Sequence, residues 1–261
     1  MTSLRFSNLP LAEVTIRIVP LEESPVSLSL KGLAELWGRL NRQDGASGTF
    51  DGLVRAQREV PPGRPSTLSF ELGPAPVPAA LVDHERGLIV HVQPDLLAVK
   101  WAAESGRQYP GFSVLLGALE TCVEAIAALI PEAIARPQYD VSNMQYANFV
   151  LAEPSASGIL DRYFGPSIRP TRVPADAQFH GVNLSWKENG HDLRLIVERA
   201  EAAVQSEPRL GFLVTTAAGC PHEPSQFPSA EITRLHDQLQ ELFLGIISDH
   251  AKEEWGYAGS R

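Results

Sequence analysis

Apolar and polar positions alternate in short runs along much of the chain, and twice the alternation gives way to a long run at helical spacing. Val14, Ile16 and Ile18 alternate with Thr15 and Arg17, and Val26, Leu28 and Leu30 repeat the pattern after Pro20 and Pro25, which predicts two opening strands. Leu33, Leu36, Trp37 and Leu40 then step by three and four, the spacing of one side of a short helix. A weaker strand pattern over 49–60 meets the proline-rich stretch from Pro61 to Pro65. Leu68, Phe70 and Leu72 alternate before the stretch from Gly73 to Pro78, which reads as an extended connector. From Ala80 to Trp101 the alternation is clearest: Leu88, Val90, Val92 and Leu97, Val99, Trp101 are separated by turn-like residues at 84–87 and Pro94-Asp95, the pattern of an antiparallel meander. Phe112, Leu115, Leu116, Leu119, Val123, Ile126 and Ile130 follow as the first long helical stripe.

The sequence then repeats the order. Residues 139–150 read as a strand with Val141, Asn143 and Gln145 on one face and Ser142, Met144 and Tyr146 on the other. Pro154, Pro166, Pro170 and Pro174 surround a small cluster of Ile159, Leu160, Tyr163 and Phe164, which predicts a linker with one helical turn. Val182, Leu184 and Trp186 alternate up to Asn189-Gly190, the dipeptide that two-residue hairpins favour, and Leu193, Leu195 and Val197 return. Leu210, Phe212 and Val214 predict a third strand, and residues 219–228 a loop. The stretch from Ser229 to Tyr257 predicts one long helix, with Ser229 as N-cap, Glu231 at its positive end, and Leu235, Leu239, Leu242, Phe243, Ile246 and Ile247 as its apolar side. The expected fold is therefore α+β, with two antiparallel β-meander plus long-helix halves. These halves span residues 1–152 and 178–261, are joined by a proline-rich linker at 153–177, and can share one continuous curved sheet that grips both helices.

Several short stretches resemble landmarks of a sporadically distributed, uncharacterised family of bacterial and archaeal proteins. They are Ala12-Glu13-Val14, His91-Val92-Gln93-Pro94-Asp95 running on to Val99-Lys100-Trp101, Tyr109-Pro110 ahead of a helix, Gln145-Tyr146-Ala147-Asn148, and the closing run from Phe243 to Trp255. The resemblance implies one shared architecture over most of the chain. It carries over no catalytic residue and no activity.

Composition narrows the function classes. With 261 residues and 44% hydrophobic content the chain can bury a substantial core. Its 22 Lys+Arg against 31 Asp+Glu give a formal charge of -9, which argues against a surface that tracks nucleic-acid phosphates. Arg55, Arg58 and Arg64 form only a local basic cluster, read as solvated. Two cysteines, Cys122 and Cys220, give no disulfide framework and point to a reducing, cytoplasmic setting. No apolar run reaches the length of a membrane span, and the first ten residues lack the pattern of a signal peptide.

Motifs of chemistry are sparse. Gly45-Ala46-Ser47-Gly48 lacks the lysine and the strand-to-helix setting of a phosphate loop, and no nucleophile elbow is present. Cys122 falls on the apolar side of its helix. Cys220-Pro221-His222-Glu223 places a thiol and an imidazole close together but offers too few ligands for zinc, so neither a metal nor a cofactor is expected. His236 and His250 are fourteen residues apart, or about 21 Å along a helix, and read as solvated rather than as joint ligands. Trp101, Tyr146, Asn148, Trp186 and Arg194 are the candidate pocket, with His91 bordering it, because they combine aromatic surface and polar groups on strands that face the helices. The first expectation is a non-enzymatic cytoplasmic binding or protein-interaction protein with an unknown protein or small-molecule partner, able to self-associate through Phe243, Ile247 and Trp255 of the last helix. The alternative is an enzyme acting on a small organic molecule between sheet and helices, with His91, Tyr146 and Asn148 supplying proton transfer or hydrogen bonds.

Overall fold

The computed structural model describes residues 4–6, 10–26, 28, 30–40, 52–55, 79–103, 108–130, 136–151, 162–165, 181–204 and 207–260. In chain order the strands are β1 (Leu4–Phe6), β2 (Leu11–Pro20), β3 (Gly52–Arg55), β4 (Ala79–Asp83), β5 (Leu88–Gln93), β6 (Leu96–Ala102), β7 (Tyr139–Leu151), β8 (Gly181–Glu188), β9 (His191–Val204), β10 (Glu207–Ser225) and β11 (Tyr257–Ser260). The helices are α1 (Leu30–Leu40), α2 (Phe112–Ala127), α3 (Ser229–Ile246) and α4 (Asp249–Glu254). The architecture is α+β with antiparallel strands and several helices, as the periodicities predict. The chain forms two compact units. The first comprises residues 1–13, 145–218 and 233–261, and the second residues 14–144 and 219–232, so β2, β7, β10 and α3 each contribute to both.

In the second unit the ladder runs β3, β4, β5, β6, β2, β7, β10. The predicted meander is present: β5 pairs antiparallel with β4 and with β6, setting Val90 opposite Leu81 and Val99. Val14, Ile16 and Ile18 are fully buried, as their alternation requires. Helix α2 packs on β5, β6 and α1 through a buried face that includes Leu115, Leu119, Cys122 and Ile126. Burial pushes the Cys122 thiol up to about 12, so this cysteine is a packing residue that stays protonated.

Two expectations in this unit need correction. Val26 and Leu28 are buried but belong to no strand, and Leu30 opens α1. The chain turns at 21–24, where the Ser24 amide donates to the Leu21 carbonyl at 3.1 Å, and Pro25 removes a donor that a ladder would need. Residues 219–225 are not a loop but the end of β10, with Cys220 buried and Pro221 exposed. Glycine and proline content suggested a loop, whereas the strand tolerates both. At Gly219 β10 runs close to β7, so that a Cβ there would stand 3.4 Å from the Ser142 carbonyl oxygen.

In the first unit the ladder runs β7, β10, β9, β8, and β1 pairs antiparallel with β11. β8 and β9 form the expected hairpin. Asn189 and Gly190 both have positive φ, 52° and 84°, the backbone that a type I′ turn demands. Val182, Leu184 and Trp186 stand opposite Val197, Leu195 and Leu193. The core gathers Val150, Leu195, Val197, Phe212, Val214, Phe243, Ile246, Ile247 and Trp255. Phe243, Ile247 and Trp255, which the sequence suggested as a surface for a second copy, are thus buried in this unit's own core.

The single helix expected over 229–257 is divided. It breaks at Ile247-Ser248 because Ser248 leaves the helix to cap α4, its Oγ accepting the Ala251 amide at 3.0 Å. The segment 162–165 fills the break: Ser248 N donates to the Tyr163 carbonyl at 2.9 Å and Gly165 N to the Ile246 carbonyl at 2.8 Å. The expected strand at Leu68, Phe70 and Leu72, the loop at 45–48, the side chains of Arg55, Arg58 and Arg64, Ile159, Leu160 and most of the linker at 153–177 lie outside the described residues.

Candidate functional site

The first unit carries a polar patch in an otherwise apolar seam. On β7, Tyr146, Asn148 and Val150 share one face, since alternate residues of a strand do. Phe212, Val214 and Thr216 share a face of β10, and Val150, Phe212 and Val214 belong to the same core as Phe243 of α3. The buried side of α3 reads Ile232, Leu235, His236, Leu239, Phe243, Ile246, spaced by three and four residues, so His236 occupies a core position of the helical stripe. The sequence reading of His236 as solvated is therefore corrected: it is 8% exposed. Its neighbours at i+3 and i+7, Leu239 and Phe243, are buried, and that environment could have been read from the stripe.

His236 is held at both ring nitrogens. Its Nδ1 lies 2.6 Å from the Tyr146 hydroxyl and its Nε2 lies 2.8 Å from Gln240 Nε2. An amide nitrogen only donates, so with this amide orientation Nε2 is the acceptor, and in a neutral ring Nδ1 carries the proton and donates to Tyr146. Burial pulls the imidazole pKa down to about 4, against a smaller upward pull from the Asp237 carboxylate, so the ring is neutral at pH 7. Tyr146 is half-buried. Beside it, Asn148 Oδ1 is buried without a hydrogen-bond partner among the described residues, as is Thr216 Oγ1 on β10. Each such atom costs roughly 1–3 kcal/mol unless something pairs with it.

Of the residues singled out from sequence, Tyr146 and Asn148 fall together here. Trp186 is half-buried, opposite Leu193, with Nε1 donating to Glu188 at 3.4 Å. Arg194 is exposed on the other side of the β8–β9 hairpin, opposite Ser185, with Nε donating to Asn183 Oδ1 at 3.3 Å. Trp101 and His91 belong to the second unit. Trp101 is buried, edge-on to Tyr109 at 5.2 Å between ring centroids, and His91 is half-buried on β5 opposite Ala80 and Ala98. Sequence reasoning missed His236, Gln240 and Thr216.

The hydrogen bonds of His222 and His250 have a different character. In the second unit, Ser142 Oγ is 2.9 Å from His222 Nε2, and His222 Nδ1 is 2.9 Å from the Glu223 carbonyl oxygen. A carbonyl can only accept, so Nδ1 donates and Nε2 takes the serine proton, the hydrogen-bond order of a nucleophile and its base. Ser142 is fully buried, however, and its hydroxyl is satisfied, so the bond secures a core serine rather than awaiting an electrophile. With both ring nitrogens engaged, His222 does not join Cys220 as a ligand pair. In the first unit, exposed His250 accepts from Arg162 Nε at 2.9 Å, and Glu254 takes Arg162 at 2.9 Å and the Tyr163 hydroxyl at 3.1 Å, an ionic border to the core.

No described helix is long and apolar enough to cross a membrane. No protein-family model and no curated protein matches the chain.

Proposed function

We propose that the protein is an enzyme acting on a small organic molecule bound at the sheet–helix seam of the first unit, with Tyr146 and His236 moving or sharing a proton and Asn148 orienting the molecule. The observation that supports this is the 2.6 Å bond between Tyr146 and a neutral, buried His236 beside the unpartnered Asn148 carbonyl. A neutral imidazole coupled to a phenol can donate or accept at one atom without a charge being buried first, which is what acid–base chemistry in a dry site needs. Buried Cys122 and Cys220, which are in no disulfide, favour a reducing, cytoplasmic setting for it.

Ligand-observed NMR of a fragment library against the full chain tests the reading, with Tyr146→Phe and His236→Gln checked first for native circular dichroism. Fragments that bind the native protein and are lost in both variants support it. Fragments that bind all three proteins equally place the function elsewhere. The second reading, an interaction protein, draws on β8, where Leu184 is 45% exposed within a strand of mostly exposed residues.

A further inference from the structure

β8 is the last strand of its ladder, and among the described residues nothing pairs with its outer side. The turn that follows it fixes which backbone groups face outward. In a two-residue hairpin the positions flanking the turn, Glu188 and His191, form a hydrogen-bonded pair, and such pairs recur at every second position. Trp186, Leu184 and Val182 therefore direct their N–H and C=O groups at Leu193, Leu195 and Val197 of β9. Gly181, Asn183, Ser185 and Lys187 direct theirs away from it, and none is a proline that would remove a donor. Edge strands are commonly blunted by charges, prolines or bulges, whereas 182–186 carries no charge and its pairing with β9 runs without a shift. The side chains add to this. Val182 and Trp186 are half-buried against the core, and Leu184 between them is 45% exposed although Leu195 opposite it is buried. The apolar side of the sheet thus runs on to an edge whose last row is only partly covered.

We propose that β8 pairs antiparallel with β8 of a second copy of this chain, about a two-fold axis through Leu184. The outward groups belong to odd-numbered residues, so only registers that set odd against odd residues can bond. The register centred on Leu184 sets Leu184 against Leu184 of the second copy, and Trp186 against its Val182 on both sides, which matches the apolar row along its length. Sliding by two residues one way sets Glu188 against Val182, and the other way carries Trp186 past the end of the strand. On the opposite face Ser185 meets Asn183 and Lys187 meets Gly181. The Lys187 ammonium is 3.3 Å from Asp192 in its own copy. Gly181 has no side chain, so the next group Lys187 meets across the axis is the exposed Glu198 opposite that glycine on β9 of the second copy. Charge and apolar surface therefore select the same register. The pairing is independent of the seam chemistry, and it gives the exposed strand one definite occupant.

Sedimentation velocity of the full chain over a dilution series should show a concentration-dependent dimer. Ser185→Pro removes an N–H that points to the second copy and none that bonds β9. Leu184→Lys sets two ammonium groups against each other on the axis. Each substitution should keep the native circular dichroism and raise the dimer dissociation constant at least about tenfold, the effect of a lost hydrogen bond or of like charges directly opposite. Leu184→Cys reads the register. It faces itself across a non-hydrogen-bonded pair, where the strands approach closely enough for a disulfide, so it should cross-link in oxidised glutathione, whereas Asn183→Cys faces Ser185 and should not. These cysteine variants leave the edge backbone intact, so they decide the matter if Ser185→Pro does not fold. A native chain that stays monomeric overturns the inference, including a monomer that takes an extended peptide along β8. A dimer that survives both Ser185→Pro and Leu184→Lys overturns it too, as does equal cross-linking of Leu184→Cys and Asn183→Cys.

Discussion

Tyr163 stacks on Trp255, with ring centroids 5.7 Å apart and planes 7° from parallel, and Phe243 stacks on the same tryptophan at 6.0 Å and 12°. Three aromatic rings from three segments meet here: residues 162–165, α3, and the residue after α4. The stack therefore ties residues 162–165 to α3 and to the residue that follows α4. Trp255→Ala should destabilise the first unit by about 3–5 kcal/mol, the usual cost of emptying a buried aromatic site, with Trp255→Phe retaining most of the stability. Urea unfolding followed by circular dichroism measures both, and a loss under about 1 kcal/mol for the alanine variant would show that the stack is incidental.

Ser248 makes the second connection at this corner. Its Oγ caps α4 through the Ala251 amide and also donates to the Arg162 carbonyl, while its own amide bonds Tyr163. Ser248→Ala removes the cap and leaves the Arg162 carbonyl without that donor, so a loss of about 1–2 kcal/mol is expected. Ser248→Asp keeps the cap and places a negative charge at the helix N-terminus, yet it cannot donate to the carbonyl. It should fall between the native protein and the alanine variant. Equal stability of all three would remove the cap from the account.

The break at Ser248 also shows what the sequence could reveal and what it could not. Strands and helices declared themselves wherever one face is buried, since burial is what imposes a period: Val14, Ile16 and Ile18, the β4–β6 meander and the Asn189-Gly190 turn are all found where the pattern places them. Apolar spacing runs on through Leu242, Phe243, Ile246 and Ile247, and the competition that ends the helix comes from Tyr163 and Gly165, distant in sequence. Residues 219–225 were hidden for the opposite reason, since Gly219, Pro221 and His222 carry loop chemistry while their pairing is set by β7. The candidate site was half legible. Tyr146 and Asn148 stand out on a strand, but His236, the partner of Tyr146, is approached only through tertiary packing, and a polar residue in an apolar stripe is easily assigned to the solvent side.

The Ser142–His222 bond predicts an asymmetric response. His222→Ala leaves the buried Ser142 hydroxyl without its partner and should cost about 1–3 kcal/mol. Ser142→Ala removes the buried polar atom itself and should cost less, and adding Ser142→Ala to the His222 variant should recover part of the loss. A fluorophosphonate probe should leave Ser142 unlabelled in the native protein, because its hydroxyl is fully buried. Labelling at Ser142, read by peptide mass spectrometry, would mean that the dyad opens and acts as a nucleophile.

His236 sets the acid side of the stability profile. Its folded pKa is lowered to about 4 by burial, against an ordinary histidine value near 6.5. The folded state thus binds this proton more weakly than the unfolded chain, so the contribution is fully present above about pH 6.5 and is lost as pH falls from there through about 4. The difference amounts to roughly 3 kcal/mol of stability at neutral pH. Glu254 acts in the same direction at lower pH. Burial raises its carboxyl, but hydrogen bonds from Arg162 and Tyr163, with the nearby charges of Arg162 and His250, hold it below the usual range. Its stabilisation disappears only as those lower values are reached. Unfolding free energies measured from pH 7.5 to 4 should therefore fall steeply in the native protein and much less in His236→Gln, which keeps an amide for Tyr146 but has no proton to take up. Proton NMR should show the His236 ring still neutral at pH 5.5. A ring that titrates near 6.5 would mean that the Tyr146–His236 seam is open to water, and the acid–base role assigned to it would lose its physical basis.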